Sequence, residues 1–432
     1  MVNILPFRGY RYDKERVDIG KVVSPPYDVI NPKFQEELYR RSDYNIVRII
    51  LGKDEGEDNE SENKYTRAYG FFESWIEGGY LKPDGKPCIY VYSQEFEVSG
   101  EKKERTGFVA VVELEEFGKN ILPHEFTLKG PKIGRRLLLE KTKANFGQIF
   151  SIYLDQEKRI DSILGKEKKK PPEFDVTDEE GIRHRFWVIN DEEMIKGVAE
   201  EMRDKKVFIA DGHHRYETSL EYSKDHPENG KAKYTMMTLV NMKNEGLVIL
   251  PTHRLVNELE PFDREQLIDR LKQNFDIETI EFEETNEKGR KGEMFKKMKS
   301  EKHSFGMYLG DNRYFVFTLK DEGVMDKKVK DCSNPWKRLD VSVLHTLVLE
   351  DLLGIDTTKP EKQHHVEYVK DTKDAVDECV AKVKNGESQI ALFMNPTRIE
   401  EVEEVAENGD KMPQKSTFFY PKVYTGFVIY KF

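Results

Sequence analysis

One short segment near the middle of the chain restricts the fold more than any other. Four apolar residues, Val207 to Ala210, are followed by Asp211-Gly212 and then by the amphipathic run from His213 to Asp225. This order predicts a buried strand, a tight turn and a helix. A second helical pattern, Asp191 to Asp204, precedes the strand, so helix and strand alternate as in layered α/β folds. We therefore predict a mixed α/β protein (α+β).

The length of the chain indicates more than one hydrophobic core. Its 432 residues exceed what a single core usually serves. We predict two domains, residues 1–255 and residues 256–432. The first contains the strand, turn and helix together with an inserted hairpin and further helices, and the second is a C-terminal α/β domain that completes the site. The sequence has no internal repeat, which excludes a solenoid or a propeller.

Other segments carry clear boundary signals. Asn31 followed by Pro32 predicts the start of a helix that runs to Arg41. Residues 157–172 are rich in lysine and end in two prolines, which favours a surface connection. The alternative is one helix turn that packs Ile160, Ile163 and Leu164 against the core. The remaining predictions are a hairpin of Cys88–Val98 and Thr106–Leu114, a strand at Ile149–Tyr153, a helix at 340–353 and a C-terminal strand pair, Thr417–Tyr420 with Gly426–Tyr430.

The composition excludes several functional classes. Charged residues make up 35% of the chain and the formal net charge is −11, so the surface repels nucleic-acid phosphates over most of its area. No apolar run reaches the roughly 18 residues of a membrane span, and the first residues lack the features of a signal peptide. We expect a cytoplasmic protein with neither nucleic-acid nor membrane partners. The three cysteines form no CxxC pair, which favours buried structural thiols.

The predicted helix start after Gly212 is suited to hold a phosphate group. The first turn of a helix presents backbone N–H groups and the positive end of the helix dipole. Gly212 permits close approach of the backbone, and Arg215 offers a planar fork for phosphate oxygens. We assign nucleotide or phosphate binding to Gly212, Arg215, Tyr216 and Thr218, and catalysis to Asp211, His213 and His214. The alternative is purely local: Asp211 caps the helix, Gly212 turns the chain, and both histidines make nearby hydrogen bonds.

The same segment carries a family resemblance. ADGHHRYET resembles the DGHHR box of the ParB and sulfiredoxin-like nucleotide-binding superfamily, which includes free serine kinases. The chain as a whole resembles a large family catalogued as domain of unknown function 1015. The boxes that carry this resemblance are LPFRGYRY from residue 5, VVSPPYDVI from 22, LPHEFTLKGP from 122, FIADGHHRYET from 208, ILPTHRLV from 249 and MPQKSTFFYPKVYTG from 412.

The resemblance implies a fold and a reaction. The fold is a ParB/sulfiredoxin-like nucleotide-binding core with large insertions and an additional α/β region. The reaction is phosphorylation of the hydroxyl of free L-serine to O-phosphoserine, with ATP or ADP as donor and Mg²⁺ as cofactor. The partners would then be a nucleotide and a small amino acid. One departure from the family pattern is Gly134 before Arg135, where an Asp is common.

Several further boxes contain more polar chemistry than packing requires. A carboxylate near the attacking hydroxyl would act as base, and Asp28, Glu125 and Asp211 remain open for that role. His124 stands beside Glu125 and is followed by Thr127 in a predicted loop. We assign substrate binding to His124, His253, Arg254 and Lys422, and phosphate binding to Lys415, Ser416 and Thr417. The alternatives are structural: a hydrogen-bonded turn at His124, a salt bridge at the end of the strand before His253, and solvated lysines near the C-terminus. The pair His364-His365 is interpreted as a surface or supporting element.

Two other functions compete with the kinase hypothesis. The ParB-like resemblance is also compatible with a nucleotide-gated DNA-binding protein, which would need a basic face and a helix-turn-helix. Hydrolysis of a nucleotide or phosphoester at the same helix start is the second. The chain lacks GxxxxGK[ST], GxGxxG, HRD and HExxH motifs, so the usual signatures of P-loop enzymes, Rossmann dehydrogenases, protein kinases and zincins are missing.

Overall fold

The chain divides into two compact units. The computed structural model describes residues 1–125 and 130–432, apart from the side chains at positions 130, 131, 360 and 361. Thr127 lies outside the described residues. Unit 1 contains residues 1–123, 130–248 and 421–432, and unit 2 contains residues 124–125 and 249–420. The main division therefore follows residue 248, where the sequence predicted it after 255, and the C-terminal segment returns to unit 1.

The elements alternate along the chain. The first part contains β1 (Ile4–Leu5), β2 (Tyr10–Tyr12), α1 (Ile19–Val22), a 3₁₀ turn (Tyr27–Val29), α2 (Pro32–Arg41), α3 (Val47–Ile50), α4 (Lys64–Glu77), β3 (Leu81–Pro83), β4 (Ile89–Val98), β5 (Glu101–Glu113), β6 (Ile121–Pro123), α5 (Gly130–Thr142), β7 (Ala144–Asn145), β8 (Ile149–Tyr153), α6 (Arg159–Glu167), β9 (Phe174–Thr177), β10 (Arg183–Ile189), α7 (Glu192–Met202), β11 (Val207–Asp211), α8 (His213–Asp225) and β12 (Tyr234–Asn241).

The second part begins at the junction of the units. It contains β13 (Val248–Leu250), β14 (Thr252–Val256), α9 (Arg264–Leu271), β15 (Phe275–Glu281), α10 (Glu287–Ser300), β16 (Ser304–Tyr308), β17 (Arg313–Leu319), α11 (Gly323–Lys328), α12 (Asn334–Lys337), α13 (Asp340–Val343), a π-helix (Leu344–Glu350), a 3₁₀ helix (Pro360–His365), β18 (Val366–Lys370), α14 (Ala375–Lys384), β19 (Ile390–Phe393), α15 (Ile399–Glu407), β20 (Phe418–Tyr420) and β21 (Tyr430–Lys431), the last of which belongs to unit 1.

Unit 1 is built on a mixed nine-stranded sheet. Its strand order is β6-β11-β8-β12-β5-β4-β10-β9, with β1 also paired to β5. Strand β11 runs parallel to β6 and antiparallel to β8. One sheet face packs on α6 and α7 through Leu164, Val198 and Met202. On the other face Phe186 stacks against Phe427, with ring centroids 5.5 Å apart. Because both faces are covered, β11 is buried up to the residue before Asp211.

Unit 2 has a six-stranded antiparallel sheet. The order is β15-β17-β16-β19-β14-β18. Alternating residues of the strands point to two apolar clusters. Phe305 and Met307 belong to the cluster that includes residues of α9 and α15, whereas Tyr308 belongs to the cluster that includes residues of α10 and α14. Helices therefore cover both faces of this sheet as well, and the mixed α/β prediction is confirmed.

Several local predictions are confirmed and two are wrong. The Asn31 side chain accepts a hydrogen bond from the Phe34 backbone N–H at 2.9 Å, so α2 begins as predicted. Strand β8 also has the predicted bounds. The predicted surface connection at 157–172 instead contains α6, which buries Ile160 and Leu164. The predicted C-terminal strand pair does not form, because β20 pairs with β13 and β21 pairs with β7.

Two of the cysteines are buried as expected. Burial raises the pKa of Cys88 to about 11 and that of Cys379 to about 12, so both thiols stay protonated at neutral pH. Cys332 is half-buried.

Among the described residues, no helix combines the length and the apolar character required to cross a bilayer.

Candidate functional site

Helix α8 starts at a position that only glycine fills without strain. Gly212 precedes the first helical residue and has a φ of 95°, in the left-handed region that side-chain-bearing residues avoid. A Cβ atom at this position would also lie 2.9 Å from Nε of Arg215. The chain therefore turns sharply from β11 into α8 and brings the guanidinium of Arg215 against the backbone of the turn.

The carboxylate of Asp211 is held between two cations. Its Oδ2 atom lies 3.0 Å from Nη2 of Arg215, and its Oδ1 atom lies 3.2 Å from Nζ of Lys422. Burial would raise the pKa of Asp211, but the charges of Lys422 and Arg215 outweigh burial and hold that pKa well below the usual range. Asp211 is therefore a stable anion and a poor proton acceptor. It is better suited to orient the cations than to act as a general base.

The two histidines predicted as catalytic lie in the first turn of α8. His213 and His214 are both half-buried. His213 is close enough to Asp211 for its positive charge to contribute to the lowered pKa of that carboxylate. The end of β11 and the first turn of α8 thus combine a carboxylate, two imidazoles and a guanidinium within five residues.

A pocket of about 70 Å³ opens beside this helix start. Apolar side chains form much of its wall, among them Ile50, Leu138 and Phe146. Arg215 and Arg135 contribute the two positive charges of the lining. A pocket with apolar walls and a few convergent polar groups is the usual form of a small-molecule site.

Arg135 was not predicted as a functional residue. Its guanidinium carbon lies 3.8 Å from the centre of the Tyr27 ring, and its Nη1 atom donates to the Ile50 carbonyl at 2.8 Å. Burial lowers the pKa of Arg135, and the nearby charge of Arg215 adds to this effect. Two partly buried guanidinium groups that repel each other form a natural anion site, because an anion between them would relieve the repulsion.

Gly134 lies close to the side chain of Tyr65. A Cβ atom on Gly134 would lie 2.9 Å from the hydroxyl of Tyr65, which α4 presents at this point. An Asp side chain here would therefore require Tyr65 to move.

Asp28 lies in the same electrostatic environment as the helix start. The pKa of Tyr27 is raised by burial, lowered by Arg135 and Arg215, and raised by the negative charges of Asp28 and Asp211. The 3₁₀ turn after Pro26 therefore brings the SPPYDVI box to the DGHHR box. Asp28 is exposed, and the buried Pro26 behind it fixes its position.

Two neighbouring residues of α8, both predicted to bind phosphate, have different surroundings. Thr218 lines the pocket, and its buried Oγ1 atom has no hydrogen-bond partner among the described residues. Tyr216 is fully buried, stacks on Phe117, and exchanges hydrogen bonds with the backbone of Glu115. The Glu115 backbone already uses the hydroxyl of Tyr216 as donor and as acceptor, and the ring is packed in the core. Tyr216 is therefore not positioned to contact a ligand in the pocket.

The other predicted site residues form a cluster within unit 2. Nε2 of His124 lies 2.8 Å from Oγ1 of Thr417, and Glu125 accepts a hydrogen bond from the Lys415 backbone N–H at 2.8 Å. Ser416 donates its hydroxyl hydrogen to the Pro413 carbonyl. The LPHE and QKST boxes, which are far apart in sequence, thus hold each other in place.

His253 and Arg254 of β14 are also buried in unit 2. Nδ1 of His253 accepts from the Met394 backbone N–H at 3.3 Å. Arg254 is only 1% exposed and donates to the carbonyls of Thr252 and Lys415. Burial lowers the pKa of Arg254 to about 10. No described carboxylate forms an ion pair with this guanidinium.

The chain is similar to one family and to several solved structures. The family model described as a protein of unknown function (DUF1015) matches residues 4–342. A free serine kinase mutant in complex with AMP is 14% identical, with 71% of this chain and 89% of that chain covered and a TM-score of 0.35. A conserved hypothetical protein from Pyrococcus furiosus is 14% identical, with 69% and 87% covered and a TM-score of 0.31.

A third solved structure shows a likeness of the same size. C-terminally truncated SbnI from Staphylococcus aureus is 10% identical, with 74% of this chain and 87% of that chain covered and a TM-score of 0.35. At such identities and TM-scores, the likeness assigns no activity to the chain. No curated protein matches the chain.

Proposed function

The chain belongs to the DUF1015 family, and on that premise we propose that it is a nucleotide-dependent kinase that phosphorylates free L-serine to O-phosphoserine. The observation that carries the proposal is the start of α8. There Gly212 exposes the backbone of the turn, and Arg215 is fixed by Asp211 beside a pocket that also contains Arg135. Phosphoryl transfer depends mainly on positioning and on neutralising charge, and this arrangement supplies both.

The nucleotide would use the polar and the apolar parts of the pocket differently. Its phosphates would lie at the N-terminal end of α8, where the helix dipole and the guanidiniums of Arg215 and Arg135 favour negative charge. The base and ribose would contact the apolar wall around Leu138 and Phe146. Thr218 would donate or accept one hydrogen bond with the ligand, because its hydroxyl has no described partner.

Asp28 is the carboxylate that best fits the role of general base. Of the three open candidates, Asp211 is held as an anion by Lys422 and Arg215, and Glu125 accepts the Lys415 backbone N–H. Asp28 is exposed beside Tyr27. In the reaction, the serine hydroxyl oxygen forms a bond to the terminal phosphorus as the bond to the leaving nucleotide oxygen breaks, and Asp28 takes the hydroxyl proton.

The oxygen donors at this site fit a magnesium ion. Mg²⁺ prefers oxygen ligands and is usually held by one or two carboxylates together with substrate phosphates. Asp211, which stays ionised, would be the protein ligand. When bound, the ion would neutralise charge on the phosphoryl oxygens. The residues of the chain would still position the nucleotide and accept the proton.

The choice of serine as acceptor rests on the resemblance of the FIADGHHRYET box, and one assay tests it. The purified chain would be incubated with Mg²⁺ and either ATP or ADP, with L-serine or L-alanine as acceptor. Alanine lacks only the hydroxyl, so we expect phosphorus NMR and mass spectrometry to detect O-phosphoserine in the serine reaction alone. Failure to form O-phosphoserine with both donors would refute the proposal. Phosphate release that does not depend on serine would instead identify a hydrolase.

A further inference from the structure

A second group of ligating side chains lies in unit 2, outside the proposed active site. Glu258, His364 and His365 offer one carboxylate and two imidazoles whose ligand atoms all lie within 4.8 Å of one another. We propose that these three residues bind a divalent transition-metal ion, for which Zn²⁺ is the best fit. The proposal is independent of the kinase proposal, because it involves neither nucleotide nor serine.

The register of the unit 2 sheet brings the three residues together. Strands β14 and β18 pair antiparallel, ending with Val256 opposite Val366. The pairing continues one step further, because the Asn257 backbone N–H donates to the His365 carbonyl at 2.9 Å. Glu258 and His364 are the next residues along the two segments, and their side chains are in contact. Backbone hydrogen bonds therefore fix the two segments that carry the cluster.

The distances suit a small metal ion. Nε2 of His364 lies 3.6 Å from Oε2 of Glu258, and the two imidazole centroids are 4.0 Å apart. Ligand atoms about 2.1 Å from a tetrahedral zinc ion are about 3.4 Å from each other. Small rotations of exposed side chains would thus complete the coordination. His364 and Glu258 are exposed, so an ion could reach them directly from solvent.

One imidazole is already oriented for coordination. Nδ1 of His365 lies 3.2 Å from the carbonyl of Asn257. A carbonyl only accepts hydrogen bonds, so Nδ1 carries the hydrogen in this contact and the Nε2 lone pair is left for a metal. A second partner of this kind is typical of histidine ligands in metal sites. Glu258 has a φ of 56°, an uncommon conformation for a residue with a side chain, and it marks the point where the strand turns towards the histidines.

The ligand types select the class of metal. Imidazole nitrogen favours Zn²⁺, Ni²⁺, Co²⁺ and Cu²⁺, whereas Mg²⁺ and Ca²⁺ favour an all-oxygen shell. Two histidines and one glutamate leave the fourth zinc position to water or an exchangeable ligand.

His226 of unit 1 is a histidine whose side chain contacts carboxylates rather than a second histidine. Its two ring nitrogens lie 3.2 Å from Glu140 and 3.3 Å from Glu228, so a single imidazole hydrogen-bonds two carboxylates there.

Metal titration of the full chain tests the site. Chelator-treated protein would be titrated with Zn²⁺ in a calorimeter and with Co²⁺ under visible spectroscopy, without nucleotide. We expect one Zn²⁺ per chain that is lost in the double variant H364A/H365A, and Co²⁺ absorption bands typical of a low-coordinate site. Loss of a hydrogen-bond partner of a ligand alone typically weakens metal binding about 10- to 100-fold, so Glu258→Gln should weaken binding at least that much.

Matched controls keep the result interpretable. His226→Ala removes a histidine that also contacts carboxylates, and we expect it to bind Zn²⁺ like the wild-type chain. Zn²⁺ should raise the melting temperature of the wild type and of H226A but not that of H364A/H365A. The metal-free melting of the double variant should fall only slightly, because His364 is exposed and His365 makes one hydrogen bond, to the Asn257 carbonyl. Equal Zn²⁺ stoichiometry and affinity in the wild type and the double variant would overturn the proposal.

Discussion

Arg215 in unit 1 and Arg254 in unit 2 are the same residue type in opposite surroundings. Arg215 pairs with the carboxylate of Asp211 and lines a pocket. Arg254 is 1% exposed, and its described hydrogen-bond partners are carbonyl oxygens and His345, with Nε left without any described partner. A guanidinium next to a pocket can meet an anionic ligand, whereas one surrounded by backbone carbonyls mainly joins chain segments.

The two arginines also differ in how their surroundings affect the charged form of the side chain. Arg215 and Lys422 lower the pKa of Asp211, so the charges of the α8 start stabilise one another. Burial lowers the pKa of Arg254 to about 10. The environment of unit 2 therefore disfavours the charged form of this side chain. The comparison leads us to expect a ligand at Arg215, whose charge is compensated beside a pocket, and a structural role for Arg254.

The largest expected effect is the loss of catalytic efficiency caused by Arg215→Ala. If Arg215 neutralises the transferred phosphoryl group, its removal should lower kcat/KM for serine phosphorylation about 100- to 1000-fold, as loss of one transition-state donor does in other enzymes. Arg215→Lys keeps the charge but loses the planar fork, so its loss should be smaller. Steady-state kinetics with serine and nucleotide varied separately would measure both variants.

A surface arginine serves as control for this variant. Arg159 is 58% exposed and forms ion pairs with Glu157 and Glu201 on the surface of unit 1. Arg159→Ala should retain wild-type kinetics, because exposed ion pairs contribute little. If Arg215→Ala is folded by circular dichroism and still phosphorylates serine at the wild-type rate, Arg215 is no different from Arg159 and the site lies elsewhere.

The next largest effect is on stability, through Arg254→Ala. This change leaves the carbonyls of Thr252 and Lys415 without their donor and opens a cavity, so the free energy of unfolding should fall by about 3 kcal/mol. Arg254→Met refills most of the volume without a charge and should recover part of that loss. Urea unfolding of both variants would measure the two values.

Kinetics of the methionine variant decide between the two roles of Arg254. The sequence predicted that Arg254 binds substrate, and this prediction is still open. A folded Arg254→Met variant with wild-type KM values would favour the structural role. A large rise in the KM for serine with unchanged stability would show that an anionic substrate group reaches Arg254, and the contrast with Arg215 would fail.

A smaller effect concerns the response of Asp211 to pH. A carboxyl group whose pKa is depressed in the folded state contributes stability that is present above its unfolded pKa, near 3.9, and is lost as pH falls through the folded pKa. Asp211→Asn should therefore lower the free energy of unfolding by about 2 kcal/mol at pH 7 and flatten its decrease below about pH 4.

The control for Asp211→Asn is an exposed carboxylate. Asp43 is 89% exposed and lies 2.8 Å from Arg48, so Asp43→Asn should change stability very little. Urea unfolding at pH 7 and near pH 3 would compare the two variants with the wild type. Identical acid sensitivity in D211N and the wild type would mean that the carboxylate of Asp211 does not stabilise the start of α8.

Local patterns were sufficient where one continuous segment determines the outcome. The apolar run and Gly212 predict β11, the turn and α8 because burial, a positive φ and helical periodicity all lie within the same segment. The region of α6 was predicted mainly as a surface connection, with one helix turn against the core as the alternative, because the lysines and the final prolines of residues 157–172 favour a connection. Strand β21 has two residues and no periodicity, so its pairing with β7 left no local signal.

The site was less predictable than the fold. The stacking of Arg135 on Tyr27 joins residues that are far apart in sequence, and only the tertiary structure creates that contact. Tyr216 was predicted as a ligand-binding residue of the segment that follows Gly212. The 3.6-residue period turns it towards the core, whereas Thr218, two positions further, faces the pocket. The motif therefore points to a segment, and the helix geometry decides which of its side chains line the pocket.

The smallest expected effect tests that geometry with two buried threonines of unit 1. Thr218 and Thr238 are both 2% exposed, and the Oγ1 atom of each has no described hydrogen-bond partner. Only Thr218 belongs to the lining of the pocket. Replacing either by valine exchanges an unsatisfied hydroxyl for a methyl group, so the free energy of unfolding should not fall in either variant.

The two variants should differ in nucleotide binding. Thr218→Val should weaken the binding free energy by about 1 kcal/mol, roughly a 5-fold higher Kd, whereas Thr238→Val should bind like the wild type. Calorimetric titration with ADP would measure this difference, and equal affinity in the two variants would remove Thr218 from the nucleotide site.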